Sequence, residues 1–195
     1  MNEYTDRQLQ IIDAAIELIA QGGIQQLTMK NLSKRIGISE PAIYRHFENK
    51  SSILEAIQDT FSIGKQTLVN DIIYTHLSGI DKIQKFIEMH FAAFHQKPTL
   101  ASVIFSEEIF QNEQHLADMI TKIMDKFRLI LMRIVSDGQK TGNIRNDIAP
   151  HHIVTIVMGS LRLIVKRWHF SRHSFDLRDE GLSFCESITK ILKPA

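Results

Sequence analysis

A glycine set between two apolar pairs constrains this chain more than any other feature. In the stretch from Thr28 to Lys50, TMKNLSKRIGISEPAIYRHFENK, Leu32 and Ile36 lie four apart, Gly37 intervenes, and Ile43 and Phe47 again lie four apart. A four-residue step returns a side chain to the same helix face. Glycine ends a helix at no steric cost because it adopts the left-handed conformation freely. Thr28 is placed to cap the first helix, since its hydroxyl can accept a first-turn N–H. Ser39 is placed to cap the second, and Pro41 falls in its first turn, where a missing N–H does least damage. The pattern predicts two short helices joined by a tight turn. Ile38 turns inward, and Glu40, Pro41, Ala42, Tyr44, Arg45 and His46 turn outward.

That outward set has chemistry suited to nucleic acid. Arg45 can reach guanine edges or phosphate, and Tyr44, His46 and Ser39 can donate to phosphate oxygens. Lys50 follows Asn49, an expected N-cap, so its ammonium lies near a helix N-terminus, where anions bind well. The stretch holds five cations (Lys30, Lys34, Arg35, Arg45 and Lys50) against Glu40 and Glu48, in a chain of net charge +1. Any DNA affinity must therefore come from a local patch. Spacing alone fits two readings: a DNA-binding helix-turn-helix, or an ordinary helix pair with a solvated basic face.

A longer set of residues carries a resemblance. Ile12, Ala14-Ala15, Leu18, Gly22-Gly23, Thr28, Leu32, Ile36-Gly37-Ile38-Ser39 and Ala42-Ile43-Tyr44-Arg45-His46-Phe47, followed by Lys50 and Leu54, are similar to the N-terminal domain of the TetR family of bacterial transcriptional regulators. The resemblance covers about the first quarter of the chain. It implies a three-helix DNA-binding domain over residues 1–48 whose third helix enters the major groove, followed by a ligand-binding and dimerisation domain over 49–195. It further implies that Thr28, Tyr44, His46 and Lys50 hold phosphates. Lys30, Glu40, Pro41, Ala42 and Arg45 would face bases or flanking phosphates. Glu40 departs from the pattern: an acid at the tip of the recognition helix either accepts from a cytosine amino group or caps the helix and repels phosphate.

The rest of the chain reads as helix throughout, giving an all-α expectation of about nine helices. Thr5 and Gln8 form a capping box before Leu9, Ile12, Ile16 and Ile19. A fourth helix starts near Asn49 with Leu54, Ile57, Phe61 and Leu68 on one side. Others are expected at about 79–96, 99–110, 113–141, 150–170 and 175–193. Proline is scarce, and no strand pattern, internal repeat or low-complexity tract stands out. Hydrophobic residues make up 44% of the chain, enough for a real core. Asp13 and Glu17 interrupt the early apolar run, so it is not read as a signal peptide, and no apolar window is long enough to span a membrane. The chain is expected in the cytoplasm, and its lone cysteine, Cys185, fits a reducing compartment.

The eighth expected helix is apolar on more than one side, with Ile153, Ile156, Val157, Leu161, Ile164, Val165 and Trp168 around small Gly159 and Ser160. Such a helix is buried on more than one face. It is either central to a monomeric bundle or packed also against a second subunit. The resemblance implies the second, with a homodimer meeting through the last two helices at Ile156, Gly159, Ser160, Ile164, Cys185 and Ile188. Aromatic and Met side chains of the fourth to seventh helices are core at helical spacing, yet such an interior is adaptable. The resemblance places a pocket there, and the expected lining is Phe61, His90, Phe94, Phe105, Ile109, Met124 and Phe127. His90 would be the one polar contact to a small hydrophobic effector. The histidines lack ligand partners at metal spacing: His151-His152 are expected to point apart, and no cofactor is implied. No phosphate loop or catalytic motif occurs. The functional expectation is a repressor released from a palindromic operator by a small hydrophobic ligand. The alternatives are a DNA-binding factor without an inducer and, more remotely, a helical enzyme.

Overall fold

The computed structural model of the protein describes residues 4–73, 75–105 and 114–194, with the side chains of 58, 61–71, 103, 114–117, 119, 120 and 123 outside that description. Among the described residues there are nine α-helices and no strand. They are α1 (Asp6–Gly22), α2 (Met29–Ile36), α3 (Glu40–Tyr44), α4 (Lys50–Ile73), α5 (Gly79–Gln96), α6 (Thr99–Ile104), α7 (Gln114–Lys140), α8 (Pro150–Phe170) and α9 (Leu177–Leu192), with a 3-10 turn over Ile24–Gln26. This is the all-α architecture expected from the helical spacing.

The helix ends follow local chemistry. Thr5 and Gln8 close the capping box of α1: the Gln8 amide donates to Thr5 Oγ1 at 3.3 Å, and the Thr5 amide donates to Gln8 Oε1 at 3.0 Å. Thr28 Oγ1 accepts from the Asn31 amide at 3.0 Å and starts α2. Gly37 ends it in the left-handed conformation (φ 75°, ψ 34°), where a Cβ would be strained. Asn49 caps α4 by accepting from the Ser52 amide at 2.9 Å. The last helix begins at Leu177 because Asp176 accepts from the amides of Arg178 and Asp179.

Contacts divide the chain into two compact units, residues 1–65 with 99–121 and residues 66–98 with 122–195. These do not coincide with the expected break between 48 and 49, because α6 packs on α1. In the first unit α1 also packs on α2 and on the 3-10 turn, and α2 packs on α3. Ile11, Ile12, Ala15, Leu32 and Ile43 are almost completely buried there. In the second unit α9 packs chiefly on α5, and both touch α8. Ile83, Ile87, Phe91, Val157, Val165 and Ile188 form its interior. The close approach of α9 to α5 requires Gly181: a Cβ there would lie 2.6 Å from Cδ2 of Phe91.

Candidate functional site

The α2–α3 pair sets its polar side chains outward because Leu32, Ile43 and Phe47 hold the other face in the core. Regular helix in α3 stops at Tyr44. The Phe47 amide still donates to the Ile43 carbonyl at 3.0 Å, so the turn continues under Arg45 and His46. Tyr44 is 51% exposed, Arg45 and Pro41 are exposed, and Glu40, Ala42 and His46 are half-buried. Ser39 caps α3 without using its side chain, which leaves its exposed hydroxyl able to donate outward. Thr28 accepts an amide with its hydroxyl oxygen and keeps its hydrogen for a second partner. Lys30 is exposed two residues further on.

Two cations differ from what spacing suggests. Arg35 donates from Nε to Glu17 Oε2 at 3.1 Å and from a terminal nitrogen to Gln21 at 3.2 Å, so its charge is spent on α1. Lys50 is half-buried, and its ammonium donates to the Ile24 carbonyl at 3.3 Å. Sequence spacing gave no sign of either partner, since both lie far along the chain. A further long-range bond runs from Gln8 Nε2 to the His46 carbonyl at 3.4 Å, tying α1 to the end of the reading segment.

The second unit brings together part of the expected effector cluster. His90 lies half-buried with its ring centroid 5.1 Å from Phe94 and 6.5 Å from Phe86. Phe86 meets Phe127 edge-on at 5.7 Å, so it links two expected lining residues, although helical spacing offers no reason to prefer it. Phe94 is buried, whereas Met124 is 42% exposed and faces outward. Phe105 belongs to the other compact unit. The side chain of Phe61, and Ile109 altogether, lie outside the described residues.

The expected interface residues on α8 and α9 part into two sets. Ile156 is 42% exposed, Gly159 faces open space, and Ser160 and Ile164 are half-buried. Cys185 and Ile188 are buried in the protomer's own core, because that face of α9 packs on α5. Besides Ile156, the large apolar side chains exposed on these two helices are Leu163, Phe170, Leu182 and Ile191. Burial pushes the Cys185 thiol up to about 11, with the Glu88 charge adding to it, so it stays protonated and unreactive at neutral pH. The rings of His151 and His152 do not point apart but lie 4.1 Å from each other. Among the described residues no third ligand group joins them or the His169–His173 pair.

Two family models cover the chain. Residues 11–57 match "Bacterial regulatory proteins, tetR family", and residues 66–192 match "YsiA-like protein, C-terminal region". The fatty acid metabolism regulator protein of Bacillus subtilis is 25% identical over 183 residues, covering 91% of each chain. The nucleoid occlusion factor SlmA of a Marinomonas species is 22% identical over 181 residues, covering 91% of this chain and 89% of that one. The solved structure of the transcriptional regulator FadR from Bacillus subtilis in complex with stearoyl-CoA superposes with a TM-score of 0.80 at 25% identity. It covers 93% of this chain and 97% of that one. With the Gly37-centred helix pair and its outward polar face, these matches span reading head and helical bundle alike: the chain belongs to the TetR family of bacterial regulatory proteins.

Proposed function

We propose that this chain is a cytoplasmic, homodimeric repressor whose hold on a palindromic operator is released by a long-chain fatty acyl-CoA thioester. The observation that carries the effector is the likeness, over nine-tenths of both chains, to the Bacillus subtilis fatty acid regulator, which was solved with stearoyl-CoA. The reading head is residues 1–48. Thr28, Ser39, Tyr44, His46 and Lys50 are assigned to phosphates, where contacts position the protein without reading sequence. Arg45, with Lys30, Glu40, Pro41 and Ala42 beside it, is assigned to bases or flanking phosphates. The Lys50 ammonium donates one of its three N–H groups to the Ile24 carbonyl and keeps others for a phosphate.

The cluster of His90, Phe94, Phe86 and Phe127 supports an effector wall that is mostly apolar with one polar group, the usual character of a small-molecule site. The helix α4 begins with Lys50 and ends at Ile73 in the second unit, so an effector that moves α4 acts on a DNA contact directly. Nothing in the reading calls for catalysis, and the chain is assigned a binding role. The second reading, a DNA-binding factor without a small-molecule inducer, draws on the likeness to a protein named as a nucleoid occlusion factor rather than as a metabolic regulator. The test is fluorescence anisotropy of the DNA upstream of the chain's own gene, titrated with stearoyl-CoA. Release at micromolar thioester supports the repressor. Tight binding that stearoyl-CoA leaves unchanged supports the inducer-free reading instead.

A further inference from the structure

One face of α7 has a composition that neither DNA binding nor core packing uses. Lys122, Asp125, Leu129 and Arg133, with Lys126 and Ile130 beside them, are related by three- and four-residue steps and form a single stripe. With Ile73 at the end of α4 they line an open groove of about 450 Å³ in the second unit. Its floor is apolar, and Leu129 is 60% exposed to water.

The charges around that floor are unevenly satisfied. Asp125 is occupied by Arg128, whose Nε lies 3.1 Å away. Arg133 shares Asp137 with Lys140, at 3.9 and 3.7 Å, so two cations divide one carboxylate. Lys82 donates to the Ile73 carbonyl at 3.1 Å and brings a further cation to the groove's end. Lys122 and Lys126 stand exposed one helical turn apart, a like-charge pairing that disfavours the helix unless an anion lies between them.

We infer that this groove binds the phosphate-bearing end of the acyl-CoA effector, with Lys122 and Lys126 as phosphate ligands and Ile73, Leu129 and Ile130 as the floor under the pantetheine arm. The inference rests on the acyl-CoA reading proposed above. The chemistry selects this occupant over simpler ones. A free phosphate would leave the apolar floor in water, where exposed apolar surface is costly. A fatty carboxylate carries a single charge and is matched by one lysine. A coenzyme A thioester offers several phosphate charges next to a flexible, largely uncharged arm. Charge-assisted contacts from lysine to phosphate are stronger than neutral hydrogen bonds and weaken with salt.

Isothermal titration of the full-length protein with stearoyl-CoA below its micelle threshold, and separately with stearate, tests the site. The double substitution Lys122→Ala/Lys126→Ala changes only exposed side chains. It should weaken stearoyl-CoA binding roughly tenfold or more, as expected for two lost charge-assisted contacts. Stearate binding and effector-free operator affinity should stay as in the wild type, and Lys122→Arg/Lys126→Arg should restore the thioester. Equal stearoyl-CoA affinity in wild type and the alanine variant overturns the site while leaving the effector reading intact. An equal loss of stearate also overturns it, since the lysines would then serve the acyl chain or the fold. Wild-type binding to phosphatidylglycerol vesicles that the alanine variant loses reassigns the groove to a membrane surface and overturns it too. A wild-type protein that binds no stearoyl-CoA refutes the effector reading and this site together.

Discussion

At the scale of single residues, the proposed reading head would separate groups that position from groups that discriminate. Tyr44 offers one hydroxyl on an exposed ring, and Arg45 offers a planar fork beside it. Tyr44→Phe should weaken all operator variants alike, by about 1.5–3 kcal/mol for one hydrogen bond to a charged partner. Arg45→Ala should cost about 1–3 kcal/mol and also relax preference at one operator position. A binding-site selection decides it, since an unchanged consensus with Arg45→Ala would restrict that side chain to phosphate. A different residue carries a pH effect. His169, at the end of α8, has its Nδ1 buried without a hydrogen-bond partner among the described residues. Burial, with the neighbouring His173 charge adding to it, holds its imidazole below the ordinary 6.5. The unfolded chain therefore takes up this proton at a higher pH than the folded one. The stability that neutral His169 contributes is complete above 6.5 and is lost as pH falls through that value towards the lower folded one. His169→Gln should flatten that limb of the curve of Tm against pH. An unaltered slope would assign the acid sensitivity to another group.

At the scale of helices, the sharpest packing constraint is the crossing of α5 and α9. Gly181→Ala sets two effects against each other. Alanine gains about 1 kcal/mol of helix propensity over glycine. Its methyl would press on the Phe91 ring, which is fully buried and also held edge-on by Phe184 at 6.5 Å, so the ring has nowhere to turn. Overpacking a tight core costs about 1–3 kcal/mol. The expected net loss is about 1 kcal/mol, read as a lower urea midpoint, and a raised midpoint would show that the two helices separate easily. The elements themselves were legible in the sequence wherever a cap or a stop marked them. Thr5 with Gln8, Thr28, Gly37 and Asn49 all act as their residue types suggest. What spacing could not supply was direction. Helix α8 is apolar on several sides, so periodicity alone does not say which side meets its own core. On α9, the resemblance implies a partner against Cys185 and Ile188, whereas α5 of the same protomer covers them. Met124, expected in the pocket lining, faces water, and the ties of Lys50 to Ile24 and Arg35 to Glu17 depend on tertiary folding.

At the scale of the whole molecule, a reader of palindromic DNA works as a pair, and the pairing surface must be apolar surface that one protomer leaves uncovered. On α8 that surface is a stripe: Ile156, Leu163 and Phe170 are seven residues apart and 42%, 66% and 68% exposed. Seven residues are close to two helical turns, so the three lie nearly in line. Gly159 between the first two faces open space, since a Cβ there would meet nothing within 4 Å. On α9 Leu182 is 57% exposed. A two-fold interface uses each of these residues twice. Burying a leucine side chain is worth about 1.5–3 kcal/mol, so Leu163→Glu should remove about 3–6 kcal/mol from the dimer. That is roughly a hundredfold to ten-thousandfold in its dissociation constant. Sedimentation velocity at low micromolar protein should then show monomer where the wild type shows dimer. Operator affinity should fall with it, because a monomer engages one half-site, while helix content stays unchanged because Leu163 takes no part in the protomer's core. A Leu163→Glu protein that remains a dimer at that concentration would move the interface away from α8.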